Sequence, residues 1–477
     1  MAKMENVIHC DLAIIGAGAA GLSLAAVAAQ LGVKVVLLEH GKMGGDCLNY
    51  GCVPSKSLLA AAKAFWQATH AQHLGVYAQG VHLNFEKVMQ HVRQVIDTIA
   101  PNDSVTRFTA LGVQIVLSTA RFIDKQTIAA GDCLIRSKRI VIATGSSPFI
   151  PSITGIDDVK YYTNETIFTL KKLPEHLLVI GGGPIGCELA QAFSMLGSTV
   201  TILESAAILP KDEPDCVDIV RKGLVKTGAA IYEGVVVKSL ATKGDDIIIQ
   251  FEKETKSMVV RGSHVLIATG RQANIRSLDL EKAGVDYTPK GIVVDSRLRT
   301  GNKKIYAIGD VASAMQFTHV ASYQAGIVLK NILFRLPAKN SYRAVPWVTY
   351  TSPQLAHVGL SSSQAKSEGI NIISSESLFA DNDRAQTEGE TEGKIKVYTD
   401  KKGRILGATI VGSKADDLIY PWVIAINEKK TLRSFTDSIA PYPTFSEASK
   451  RVASQFYAKK LFSDTMRMIV RWLLKIL

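Results

Sequence analysis

Apolar positions along this chain fall into blocks with different periods. Residues 10–40, CDLAIIGAGAAGLSLAAVAAQLGVKVVLLEH, open on a continuous apolar run at 12–15 that Gly16 cuts. An Ala-rich stretch follows, then a second apolar run ending at Glu39. That order predicts a strand, a Gly-rich turn, an Ala-rich helix and a second strand. Residues 177–205, LLVIGGGPIGCELAQAFSMLGSTVTILES, repeat it and end at Glu204. Between the repeats, helices are predicted over 56–72 and over 85–111 with an interruption near Pro101, then a strand over 112–116. The run RIVIATG (139–145) predicts a buried strand ending in a small-residue turn; HVLIATGR (264–271) echoes it, and KIYAIGDV (304–311) is another such strand. From about Ala344 the pattern changes. WVTYTSPQLAHVGLS, KIKVYTD (394–400) and ILGATIVG (405–412) predict antiparallel strands, with a helix over 418–428.

The glycines give the repeated block its chemistry. Gly16, Gly18 and Gly21 form G-x-G-x-x-G directly after a strand, and Gly181, Gly183 and Gly186 form a second set. In such a unit the first glycine allows the tight turn, the second lets a pyrophosphate approach the backbone, and the third lets helix and strand pack. Glu39 and Glu204 stand where an acid accepts a ribose hydroxyl. The fold class is therefore α/β, with two Rossmann-like domains and a C-terminal α+β domain. Two dinucleotide sites in one chain suggest electrons passing between two nucleotides. A carboxylate at Glu204 repels a 2′-phosphate, and no Arg follows over 205–209, so NADH is expected over NADPH.

GGDCLNYGCVPSK (44–56) sets Cys47 and Cys52 five apart, ahead of a helix expected to start near Pro54. The spacing lets the sulfurs bridge, and a helix start favours a thiolate. A cycling disulfide, a static disulfide and half a metal site are the readings these residues allow. Six cysteines in 477 residues exclude a disulfide-stapled secreted scaffold. No stretch reads as a signal peptide or reaches about 18 uninterrupted apolar residues, so a cytoplasmic protein is expected. Three or four domains are expected for this length. Half of the net charge of +12 lies in the last 28 residues, where seven basic residues face one acid, Asp464. No nucleic-acid motif accompanies that charge, so no nucleic-acid partner is expected.

Together and in this order, these motifs resemble the flavin-dependent pyridine nucleotide–disulfide oxidoreductases, which include dihydrolipoyl dehydrogenase, glutathione reductase and mercuric reductase. The resemblance covers roughly residues 8–457, and GGDCLNYGCVPSK is its most specific element; both ATG turns, AIGD and YPTFSE support it. It implies that Gly16, Gly18, Gly21, Glu39 and Gly45 hold FAD, with Ala143, Thr144, Gly145, Gly309, Asp310 and Thr318 completing that site and Asp310 on the ribitol. Gly181, Gly183, Gly186, Glu204 and Gly270 would bind NAD(P)H. Lys56 would lie beside the flavin and pair with Glu188. The implied relay runs from NADH through flavin to Cys52, then to Cys47, which exchanges with substrate. A static disulfide does not suit the compartment, and no second Cys/His pair has zinc spacing. The implied domains are FAD-binding (1–155 and 278–343), NAD(P)H-binding (156–277), dimerisation (344–460) and a basic amphipathic tail (461–477). A homodimer is implied, in which Tyr442 and Glu447 reach the other subunit's disulfide.

Departures from the family pattern narrow the substrate. Thiol-handling members of the family carry His-Pro-Thr, whereas this chain has Tyr442-Pro443-Thr444 with Glu447 retained. A phenol near pKa 10 is a poor base at neutral pH, so dihydrolipoamide and glutathione turnover should be weak. Tyr at this place resembles mercuric reductase. Against that reading, no Cys follows Cys216 to collect a metal, and Asp46, where Thr is usual, opposes a thiolate at Cys47. In the tail, Arg467, Arg471 and Lys475 share one helical face opposite Phe462, Met466, Ile469, Val470, Leu473, Leu474 and Leu477. Such a helix suits an anionic membrane surface or a dimer contact. The expected activity is transfer of electrons from NADH through FAD and Cys47–Cys52 to a disulfide or metal–thiolate substrate. The alternatives are a dihydrolipoyl dehydrogenase and, from another class, a membrane-associated NADH sensor or diaphorase.

Overall fold

Strand β1 (Asn6–Ile15), helix α1 (Ala19–Gln30) and strand β2 (Val35–Glu39) form the first of the two units expected from sequence. The structure is a computed structural model and describes residues 6–476. Residues 1–5, Leu477 of the tail's apolar face and the side chains of Lys459 and Lys460 lie outside the described residues.

The chain divides into two compact units. The first runs to Gln67 and continues through Gly80–Gly181 and Val236–Ser341. Its main sheet holds β3 (Gln114–Leu117), β4 (Ala120–Phe122), β5 (Thr127–Ala130) and β6 (Cys133–Ile142), in the order β3-β2-β1-β6-β5-β4. β1, β2, β3 and β6 are parallel, and Ile305–Ala307 joins β6 in parallel. The apolar run in β1 is continuous because both faces are covered. Leu12 and Ile14 enter one core with Leu24 and Ala25 of α1, while Ala13 and Ile15 enter another with Ile128 and Ile140. The strands His176–Ile180, His264–Ile267 and Tyr161–Tyr162 are also parallel. Three antiparallel strands, Val235–Lys243, Asp246–Lys253 and Lys256–Gly262, form a sheet in a region where the sequence reading assigned no element. The alternating burial of Asp246–Lys253 shows that one face of that sheet is buried.

The second unit comprises Ala68–Gln79, Gly182–Val235 and the chain from Tyr342 onward. Helix Pro184–Met195 precedes strand Thr199–Glu204, which pairs in parallel with Ala229–Glu233. Five antiparallel strands follow, ordered Pro346–Thr349, Gln354–Gly359, Ile405–Gly412, Lys394–Thr399 and Ile373–Leu378. Their core is built on Trp422, Phe379, Ile410 and Val452.

Several predicted boundaries move. Helix α2 (Gly45–Asn49) is followed by helix α3 (Cys52–Thr69), which starts at the second cysteine rather than near Pro54 and ends before Gln72. The interruption expected near Pro101 separates two helices, Phe85–Ile99 and Val105–Ala110, with Asn84 and Ser104 capping their N-termini. Residues 418–428 are split between Ala415–Leu418 and Tyr420–Asn427. In the tail, Ser463 caps a separate helix, Asp464–Leu473. Among the described residues, no helix is long and apolar enough to cross a membrane.

Candidate functional site

The turn between β1 and α1 is built by contact as well as by conformation. A Cβ at Gly16 would overlap the Ala143 carbonyl oxygen, and one at Gly21 would overlap that of Gly16. Gly16 also holds φ +109°. Gly18 caps α1 without a side-chain bond, and a Cβ there would meet nothing nearer than the Gly45 Cα at 3.9 Å. The start of α1 therefore has no side chain within 4 Å of a Cβ at Gly18, and a helix N-terminus suits a pyrophosphate. Glu39 closes the turn: its carboxylate accepts from the Ala17 and Gly41 backbone N–H groups, each at 2.7 Å.

The second unit reproduces this detail. Glu204 accepts from the Gly182 N–H at 2.5 Å and the Ala206 N–H at 2.9 Å. These are the equivalent positions, one after the first glycine and two after the acid. Gly183 caps helix Pro184–Met195, and a Cβ there would meet no atom within 4 Å, so this side of the turn is open. Gly186 is buried in that helix. Gly181 lies against the Ala268 carbonyl, and Gly270 holds φ +126° with its carbonyl bonded by the Phe149 N–H at 2.9 Å.

Cys47 and Cys52 lie side by side on α2 and at the first residue of α3. The loop carrying them is tied to the first glycine turn. The Gly44 N–H bonds the Ala17 carbonyl at 2.9 Å, and a Cβ at Gly45 would stand 2.7 Å from the Gly18 Cα. The pair thus lies beside the first glycine turn. The Cys47 thiol is pushed up by the Cys52 sulfur first, then by burial, with Asp46 adding to the effect and the Thr318 hydroxyl opposing it. Thr318 opens helix Thr318–Ile332, and its Oγ1 lies 3.7 Å from the Cys52 Sγ. The remaining cysteines have no such setting: Cys10, Cys187 and Cys216 are buried, and Cys133 lies partly buried on β6.

A charge network adjoins the pair, and sequence reasoning named only its two carboxylates, Asp46 and Asp310. Arg271 Nη2 lies 3.4 Å from Asp46 Oδ2, and Asn164 Nδ2 donates to Asp46 Oδ1 at 3.0 Å. Arg271 also donates to the Ser146 hydroxyl and carbonyl, each at 2.7 Å. Ser146 Oγ donates to Asp310 Oδ2 at 2.6 Å. Burial pushes the Asp310 carboxyl up, against its bond to Ser146 and the charge of Arg271. Gly309 precedes it and donates to Gln324 Oε1 at 2.7 Å. Ala143 bonds the Ile15 carbonyl at 2.8 Å, Thr144 exchanges hydrogen bonds with Asn274, and Gly145 holds φ +69°. Glycines, amide-rich helix starts and the Asp310 carboxylate fit a flavin dinucleotide along this edge. Arg271 is the last residue of the echoed HVLIATGR, and that position was its only sequence signal.

The remaining expected residues are placed as follows. Lys56 is on the second turn of α3. Glu188 is buried on Pro184–Met195 and accepts from the Tyr350 N–H at 3.0 Å. Tyr442 is 71% exposed, and its hydroxyl donates to Asp383 Oδ2 at 3.0 Å, which pushes the phenol further up. Glu447 opens helix Glu447–Leu461 and accepts from the Thr444 N–H at 3.4 Å.

Two family models match the chain. One, described as pyridine nucleotide-disulphide oxidoreductase, matches residues 10–325, and the other, the dimerisation domain of the same group, matches residues 345–453. A mercuric reductase of Bacillus cereus is 34% identical over 95% of this chain and 72% of its own length. A dihydrolipoyl dehydrogenase of Staphylococcus aureus is 35% identical over 94% of this chain and 97% of its own. Among solved structures, the Cu(II) complex of the HOCl-induced flavoprotein disulfide reductase RclA from Escherichia coli superposes with a TM-score of 0.84 at 28% identity, over 94% of this chain and 99% of that one.

Proposed function

The chain belongs to the pyridine nucleotide–disulphide oxidoreductase family, and from that premise we propose that it carries electrons from NADH through FAD and the Cys47–Cys52 pair to a metal–thiolate or disulfide substrate. The family is FAD-dependent, and its dimerisation domain supports a homodimer. The observation that carries the proposal is the anchoring of the cysteine loop to the first glycine turn through Gly44 and Gly45. Bound there, FAD would supply hydride acceptance from the nicotinamide and delivery of two electrons to the disulfide.

The chain's own residues are assigned as follows. Glu39 and the α1 amides orient the FAD adenosine half, while Ala143, Thr144, Gly145, Gly309 and Asp310 border the rest. Glu204 and the second glycine turn select the pyridine nucleotide, and Gly270 borders that site. Cys52, at the α3 N-terminus, holds the thiolate, since that helix end favours negative charge. Cys47 exchanges with substrate. Lys56, on α3, is assigned to the flavin side of the cysteine pair, and Tyr442 and Glu447 are assigned as the partner subunit's contribution to each site.

Tyr442 favours a metal–thiolate substrate. Its phenol, bonded to Asp383, is further from serving as a base at neutral pH than a free tyrosine. Parallel assays with NADH against a Hg(II)–thiol complex, oxidised glutathione and lipoamide test this. The metal complex should turn over fastest; faster lipoamide turnover would instead favour the dihydrolipoyl dehydrogenase reading. For the nucleotide, kcat/KM should favour NADH over NADPH by about tenfold or more, and Glu204→Ala should shrink that ratio. A wild-type preference for NADPH would reject the assignment.

The tail supports a second reading, peripheral contact with an anionic membrane. No residue of Asp464–Leu473 is buried, and Met468, Trp472 and Leu473 are exposed. Arg467 and Arg471 occupy the narrow polar face, with Lys475 continuing it. Full-length protein should co-sediment with phosphatidylserine-containing vesicles several-fold better than a chain stopped at Lys460, and the difference should fade at high salt. Equal pelleting rejects the idea.

A further inference from the structure

The carboxylate of Asp46 is folded over the loop that separates the two cysteines. A Cβ at Gly51 would stand 2.9 Å from Asp46 Oδ2. Asn164 closes the same loop from outside, donating to Asp46 Oδ1 at 3.0 Å and to the Tyr50 carbonyl at 3.2 Å. Arg271, with only 12% of its side chain exposed, lies 3.4 Å from Asp46 and 3.9 Å from Asp310. One guanidinium therefore stands between the carboxylate beside Cys47 and the carboxylate of the flavin edge. We propose that Asp46 is the charge-setting residue for Cys47, and that Arg271 is its counter-ion, coupling that charge to Asp310. Asp46 acts through Cys47 and touches no substrate in this assignment, so it is a positioning residue.

The charges around the loop leave Arg271 as the main opposition to Asp46. Glu165 is acidic, feels both Asp46 and Arg271, and is pushed up chiefly by burial. Asp103 lies near Gly44 and is also pushed up by burial. Asp310 shares Arg271. Lys42 sits over the Tyr50 ring at 5.4 Å, and Lys56 stands one turn beyond Cys52 on α3. A carboxylate beside a thiol opposes its ionisation, and a cation on that carboxylate weakens the opposition. Removing Asp46 and removing Arg271 should therefore change Cys47 in opposite directions. A clamp that only braced the loop would loosen in both variants and change Cys47 in the same direction.

The inference rests on Cys47 being the exchange thiol, but its test does not use NADH. Holoenzyme is reduced with excess dithiothreitol, freed of it anaerobically, and exposed to iodoacetamide across pH. The Cys47 thiolate forms a C–S bond as the C–I bond breaks and iodide leaves, with the thiol proton lost to buffer; peptide mass mapping reports Cys47 separately from Cys52. Below the thiol pKa the rate follows the thiolate fraction, so one pKa unit is about tenfold. Asp46→Asn should raise the Cys47 rate at pH 7 by about threefold or more and move the pH profile down. Arg271→Met should lower the rate by a similar factor and move the profile up, and Arg271→Lys should restore most of it. An unchanged Cys47 rate in Asp46→Asn overturns the proposal whatever Arg271→Met does, including if that variant loses flavin. Shifts of the same sign in both variants also overturn it. Failure of NADH to reduce the pair in wild type would instead count against the electron path, leaving the alkylation result to stand by itself.

Discussion

Cys52→Ser should retain FAD yet lose the long-wavelength thiolate–flavin absorbance on anaerobic NADH titration, and its NADH-driven turnover of disulfide or metal–thiolate substrates should fall by at least about a hundredfold. The size follows from position. Cys52 is the first residue of α3, where the helix end favours a thiolate, and Thr318 Oγ1 stands 3.7 Å from its sulfur. A serine hydroxyl can occupy the same place, but it can neither ionise at neutral pH nor form a disulfide with Cys47. Cys47→Ser should separate the two roles: the absorbance persists while substrate turnover falls comparably. Turnover within a few-fold of wild type in both variants would show that the acceptor draws electrons without the cysteine pair, as the diaphorase reading holds.

Tyr442→His should raise dihydrolipoamide-dependent NAD⁺ reduction by about tenfold or more, within the roughly 10²- to 10⁴-fold that a positioned general acid–base contributes. An imidazole titrates near neutrality, whereas this phenol is held up by its bond to Asp383, with Glu447 adding a smaller effect of the same sign. Glu447 opens its helix and accepts from the Thr444 N–H at 3.4 Å; in the proposed function it would orient the new imidazole. The gain should appear in kcat more than in KM, since a proton acceptor acts on the exchange step. No gain in a dimeric, flavin-loaded variant would sink the acid–base explanation and leave Tyr442 as a matter of shape or metal orientation.

The sequence displayed what local geometry encodes. Each glycine turn, its helix and the acid that follows lie within one short βαβ stretch, so their spacing alone predicts their meeting. Glu39 and Glu204 duly bond the equivalent backbone amides in the two turns. The cysteine pair was legible for the same reason, because five residues and a helix start bring both sulfurs together. The continuous apolar run of β1 announced a strand, and the structure covers it on both faces. Strand Asp246–Lys253 was missed although 247–249 is a short apolar run, because no glycine turn and helix follow it to mark a repeated unit.

Tertiary structure decided which charges answer one another. Arg271 reaches Asp46 and Asp310, Asn164 closes the cysteine loop, and Asp383 takes the Tyr442 hydroxyl, all across long separations in sequence. No period or spacing records such pairs, because an ion pair or side-chain hydrogen bond depends on where strands and turns place their ends. Sequence by itself determined the two glycine turns, the neighbouring cysteines and the order of the motifs along the chain. The charge set around Cys47 was fixed only by folding, since the electrostatic effect of a carboxylate depends on the distance to its counter-ion.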